Sequence, residues 1–141
     1  MGGCKRPKSF DEGEMIMISM ETQGNCTIFK VTGEVTATDI VVQATQYISG
    51  KQTDTSLWDF SQAASVDIST AELDGLATSI KNASTDGKVR KVALVGSKSI
   101  NIGLGKFFAA IAVIYDLPNE YQVFRTVALA MDWLEKTEKG E

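Results

Sequence analysis

Short apolar runs alternate with segments of helical spacing along most of this chain of 141 residues. The strand-like runs cover residues 14–21, 25–35, 55–60, 89–95 and 121–125. The four segments between and after them place apolar residues three or four positions apart, which is the spacing of one helical face. This alternation predicts a single α/β domain in the order β-β-α-β-α-β-α-β-α. It would hold a mixed, mostly parallel sheet of about five strands and four helices.

Capping residues define where the predicted helices begin. Thr36 with Asp39 and Ser69 with Glu72 form the pairs expected at helix N-termini. Thr126 is the predicted cap of the last helix, which reaches about residue 136, and a third helix covers about residues 100–115. The stretch 61–68 lacks a clear period and is predicted to be a loop.

The ends of the chain lack the pattern of its middle. Residues 1–13 are polar and unpatterned and are predicted to be a disordered tail, so the folded domain is expected over 14–137. No run approaches the roughly 18 apolar residues of a membrane-spanning helix, and no integral membrane segment is predicted. Cys4 and Cys26 form no CxxC motif, which favours a reducing, cytoplasmic location.

Charge and histidine content exclude several functions. The net charge is −4, which argues against a nucleic-acid partner. The chain has no histidine, so His-based catalytic triads and His-ligated metals are excluded. We predict no catalytic residue, cofactor or metal site, and a protein that is not an enzyme.

The third predicted helix is apolar on both faces. Lys106 is its only charge between residues 102 and 115. A helix of this kind is buried on two sides or exposed for a reason. We therefore predict a dimer or partner contact, or an apolar ligand between this helix and the sheet. The residues expected to form that contact or line that pocket are Leu104, Phe107, Phe108, Ala110, Ile111, Val113 and Ile114.

Three segments resemble a known family. They are Leu-Trp-Asp-Phe-Ser at 57–61, Val-Ala-Leu-Val-Gly at 92–96 and Ala-Met-Asp-Trp-Leu at 130–134. Together with the order of elements, they resemble STAS-like domains. The resemblance is nearest to the SpoIIAA-like branch of small bacterial proteins, mostly of unknown function, which shares its fold description with lipid-binding domains of the SEC14 class. It implies a SpoIIAA-like fold and a regulatory role exercised through protein contacts.

The resemblance also implies a regulatory loop. Anti-sigma-factor antagonists of this superfamily carry Asp-Leu-Ser after a strand, and then Asp-Ser-Ser-Gly at a helix start. Ile68 stands here in the place of the regulated serine, and Ser69 follows it. The partner or phosphorylation surface implied for this chain comprises Asp59, Ser61, Asp67, Ser69 and Thr70.

A second loop is a candidate for anion binding. Gly96, Ser97 and Lys98 lie after a predicted strand and before a predicted helix, where backbone N–H groups favour anions.

The sequence thus predicts a non-enzymatic regulatory or binding module that contacts a protein partner or a second copy of itself. The alternative is a carrier or sensor of a small apolar or lipid-like ligand, held between the sheet and helix 100–115.

Overall fold

The computed structural model describes residues 18–138. Its strands are β1 (Ile18–Gln23), β2 (Cys26–Val31), β3 (Gly33–Thr36), β4 (Thr55–Asp59), β5 (Ala63–Asp67), β6 (Lys91–Val95) and β7 (Glu120–Phe124). Its helices are α1 (Ala37–Ser49), α2 (Thr70–Ala83), α3 (Ser99–Ile114) and α4 (Val127–Glu138). The predicted tail and residues 14–17 lie outside this range, so the domain limits of 14 and 137 stay a prediction.

The main sheet has five strands in the order β1-β2-β4-β6-β7. β1 and β2 form an antiparallel hairpin, while β2, β4, β6 and β7 are parallel to their neighbours. All five residues of β4 are buried, as expected for a central strand covered on both faces. The predicted α/β class, with four helices and a mostly parallel five-stranded sheet, is confirmed.

Two predicted elements were wrong. The single strand expected over 25–35 is divided into β2 and β3, because Gly33 adopts a φ of 75° that breaks the extended chain. The loop expected over 61–68 contains β5, which pairs in parallel with β3 in a separate two-stranded sheet.

The predicted helix caps are confirmed. The Thr36 hydroxyl accepts a hydrogen bond from the backbone N–H of Asp39 at 3.3 Å. The Asp39 carboxylate accepts one from the Thr36 backbone N–H at 2.9 Å. Ser69 and Glu72 repeat this reciprocal arrangement at α2. Thr126 accepts a hydrogen bond from the Leu129 N–H at 3.2 Å and begins α4.

Helices cover both faces of the sheet. On one face, α4 packs against β6 and closes a small apolar cluster that includes the buried Cys26 and Leu57. On the other face lie α1, α2 and α3, above a larger cluster in which Phe29 stacks on Trp58 with ring centroids 4.2 Å apart. No helix in the described range is long and apolar enough to cross a membrane.

The three helices of the larger layer differ in how closely they approach the sheet. α3 packs directly on β7, whereas α1 and α2 pack mainly on each other and make few backbone approaches to the five strands. Side chains therefore occupy the space between the α1–α2 pair and the sheet, and they leave part of that space empty.

Candidate functional site

The solvent side of α3 carries a stripe of exposed apolar residues. The side chains of Ile100, Val113 and Ile114 are 69%, 80% and 78% exposed. Phe107 is 43% exposed, and Ala110 is exposed beside it. Single exposed apolar residues are ordinary, but a contiguous patch on one helix is typical of a contact surface.

The spacing of this stripe follows a heptad pattern. Ile100, Gly103, Phe107, Ala110 and Ile114 are separated alternately by three and four residues, and all five are exposed. This is the spacing with which one helix packs along another. We call these five residues, together with Val113, the α3 outer stripe.

The opposite side of α3 borders a cavity of about 110 Å³ that is partly open to solvent. The cavity lies between the sheet and helices α1, α2 and α3, and its wall is predominantly apolar. The wall includes Ile40, Trp58, Leu76 and Val92, which belong to four different elements. Two of the predicted contact residues, Leu104 and Phe108, also line it.

The remaining predicted contact residues are divided between two environments. Phe107, Ala110, Val113 and Ile114 belong to the outer stripe, whereas Ile111 is buried in the core without lining the cavity. The two roles considered for α3 therefore involve different faces of the helix.

A polar group stands at one end of the cavity. Arg90, just before β6, lines it, and its side chain is only 11% exposed. Two guanidinium nitrogens donate to the Asp86 carboxylate at 3.3 and 2.7 Å, and the backbone N–H donates to Asn119. This pairing lowers the pKa of Asp86 to about 2 and raises that of Arg90.

Asp59 is inside the domain and not on the predicted partner surface. Its side chain follows the buried pattern of β4, and the residue is 5% exposed. Its carboxylate accepts hydrogen bonds from the backbone N–H and the hydroxyl of Ser61, at 2.9 and 2.6 Å. The pair thus forms a local turn at the end of β4.

Asp67, Ser69 and Thr70 are exposed at the junction of β5 and α2. The Ser69 hydroxyl is engaged as the helix cap, and Ile68 beside it is partly buried against the core. Of the residues predicted for this loop surface, the exposed ones are therefore Asp67, Ser69 and Thr70.

The predicted anion-binding loop is occupied by internal contacts. The Gly96 N–H donates to the Phe124 carbonyl at 3.1 Å, and Gly96 is buried. The Lys98 ammonium donates to the carbonyls of Ala63 and Ala64, and no side chain caps the start of α3. Ser97 is exposed. Within residues 18–138, no cluster of Cys, Asp and Glu has the arrangement of a metal site.

Sequence reasoning missed the polar lining of the cavity. The polar residues concerned are Arg90 and Asn101. Arg90 precedes β6 and Asn101 lies in the first turn of α3, and only the packing of the helices on the sheet brings them to a common space.

Comparison with family models finds no match, and none of the curated proteins matches the chain. The chain is similar to the solved structure of the anti-sigma factor antagonist SpoIIAA in its unphosphorylated form. The identity is 13% over 84% of this chain and 96% of that chain, with a TM-score of 0.49. It is also similar to the Bacillus cell fate determinant SpoIIAA in the phosphorylated form. There the identity is 12% over 82% and 96% of the two chains, with a TM-score of 0.46. Both solved structures are of SpoIIAA, the protein after which the branch in the sequence resemblance is named.

Proposed function

We propose that this protein is a non-enzymatic regulatory module that binds a protein partner through the α3 outer stripe. The observation that carries the proposal is the exposure of Ile100, Phe107, Val113 and Ile114 along one side of a single helix. Burying these side chains against a partner would remove apolar surface from water, which is the main driving force of protein association.

The pattern of the stripe specifies the kind of contact. Its alternating spacing of three and four residues suits a partner helix lying along α3. Gly103 and Ala110 alternate with the larger side chains and leave room for side chains of that partner. Lys106 is the only charged residue of α3, so electrostatic repulsion of a partner is small.

Replacing Val113 with Glu tests this surface. Because Val113 is 80% exposed, the substitution leaves the isolated domain folded, while it places a charge in the contact. Val89→Glu is the matched control, since Val89 is 67% exposed and lies in the segment before β6. In sedimentation velocity, we expect self-association of the parent chain and of Val89→Glu, and its loss in Val113→Glu.

If the parent chain sediments as a monomer, we expect the partner of the outer stripe to be a different protein and not a second copy of this chain. A photo-reactive amino acid at position 113 or 89, introduced in the native host, then tests for that protein. We expect one defined cross-linked partner from position 113 and none from position 89. Monomeric behaviour combined with equal cross-linking at both positions contradicts the proposal.

The cavity favours a second candidate function, carriage or sensing of a small apolar molecule. Its volume of about 110 Å³ is of the order of cavities that bind small hydrocarbons in protein cores. Native mass spectrometry of the gently purified protein tests this candidate. A ligand would appear as added mass that is lost when the protein is denatured. The denatured mass alone, together with failure of small hydrocarbons to bind, would contradict it.

A further inference from the structure

The cavity has polar groups at both ends and an apolar wall between them. Arg90 precedes β6, whereas Gly96 and Asn101 lie beyond its other end, and all three line the cavity. Between these ends the same strand contributes Val92 and Leu94. The wall also includes Trp58 of β4 and Val123 of β7, so the cavity faces three neighbouring strands of the sheet.

Two nitrogen atoms at these ends lack hydrogen-bond partners. Among the described residues, the buried side-chain nitrogens without one are Arg90 Nε and Asn101 Nδ2. Both belong to residues of this cavity wall. Since a buried donor without a partner costs free energy, such groups are usually satisfied by a water or a ligand.

Arg90 is held so that this donor stays in place. Its two terminal guanidinium nitrogens are fixed by Asp86, and its side chain is 11% exposed. The Asp86 carboxylate balances the guanidinium charge, while Nε–H keeps its capacity to donate. An oxygen with a lone pair, charged or neutral, is the group that this arrangement can receive.

The size of the cavity limits the size of its occupant. A volume of about 110 Å³ is of the order of cavities that hold one small organic molecule.

We propose that the cavity binds a small apolar molecule with an acceptor oxygen, a carboxylate or a carbonyl, that is received by Arg90 Nε–H. This inference rests on the second candidate function, carriage of an apolar molecule. It adds the chemical class of the ligand and the residue that orients it.

The test compares four probes on the full isotope-labelled chain by amide chemical-shift titration. Hexanoate and 2-hexanone carry an acceptor oxygen, hexane carries none, and 3,3-dimethylbutanoate is a branched isomer of hexanoate. We expect hexanoate or 2-hexanone to bind about tenfold more tightly than hexane, with shifts at the cavity residues. Comparison of the two acceptor probes decides whether a charge on the ligand matters. The branched isomer carries the same acceptor group and should also bind more tightly than hexane.

Variants of the chain separate the anchor from the cavity. Arg90→Met removes the donor and should reduce binding of the acceptor probes to the level of hexane. Lys88→Met is the matched control, because it removes a neighbouring cation that does not line the cavity. Ala44→Leu adds volume to the cavity wall and should weaken every probe, a test that does not require Arg90→Met to fold.

The results distinguish the two levels of the proposal. Hexane binding as tightly as hexanoate, with no effect of Arg90→Met, would overturn the anchoring role and leave carriage of apolar molecules standing. Failure of all four probes to bind would overturn both.

Discussion

Ser61 donates two hydrogen bonds to the same oxygen of Asp59, from its backbone N–H at 2.9 Å and from its hydroxyl at 2.6 Å. Asp59 is 5% exposed, so these bonds help to compensate for burial of its carboxylate. The resemblance to anti-sigma-factor antagonists had placed both residues on a partner surface. The structure shows a local role for the pair at the end of β4.

This pairing predicts how Ser61 responds to substitution. Ser61→Ala should lower the free energy of unfolding by about 1–2 kcal/mol, because it removes a hydrogen bond to a buried charged group. Ser61→Glu should lower it further, since it brings a second negative charge beside Asp59. Urea unfolding at pH 7 measures both effects. Ser65→Glu, at an exposed position of β5, is the matched control and should change stability little.

Ser69 should respond differently, because its hydroxyl caps α2 by accepting from the Glu72 N–H at 3.1 Å. Ser69→Ala should cost about 1 kcal/mol of unfolding free energy, whereas Ser69→Asp should retain most of the stability, since Asp is an equally good cap. The two variants can be compared by thermal and urea unfolding. Equal losses in both would show that the hydroxyl does more than cap the helix.

Burial raises the pKa of Tyr121 from 10.0 to about 12, and its ring packs edge-on against Phe108. Because the pKa of Tyr121 is higher in the folded state than in the unfolded state, the neutral hydroxyl contributes to the free energy of unfolding, and this contribution is complete below pH 10. It is lost as the pH rises from 10 to 12. Between pH 8 and pH 11, the free energy of unfolding of the parent chain should fall by about 1 kcal/mol more than that of Tyr121→Phe. Urea unfolding at the two pH values provides the comparison. Equal losses in the two proteins would contradict the shift.

Features that depend on near neighbours in the chain could be predicted from the sequence. The capping pairs at Thr36 and Ser69 are local, and so is the turn that joins β1 to β2. Apolar spacing also identified α3 and the buried strand β4. These signals define the elements and their order, from which the parallel sheet follows.

Features that depend on distant segments could not be predicted in this way. β5 is a strand because β3 lies beside it, although its own residues alternate poorly. The cavity depends on how far α1 and α2 stand from the sheet. The orientation of Arg90 depends in turn on its hydrogen bonds to Asp86, and its place in the cavity wall depends on the same packing of the helices. Likewise, the periodicity of α3 shows two apolar faces, but only packing decides which one meets solvent.

The parallel pairing of the central strands has a kinetic consequence. Only the β1–β2 hairpin brings neighbouring segments together, whereas Cys26 pairs with Thr55, and Lys91 with Glu120, about 30 residues farther along the chain. Each of these later pairings closes a loop that contains a helix, and loop closure must be completed before the strands stabilise one another. The hairpin is therefore the pairing with the lowest loop-closure cost, whereas the three parallel pairings close loops of similar length. The strand on which α3 rests, β7, is joined to the sheet only through such a loop. Presentation of the outer stripe therefore depends on a long-range strand pairing that no local signal in the chain can supply.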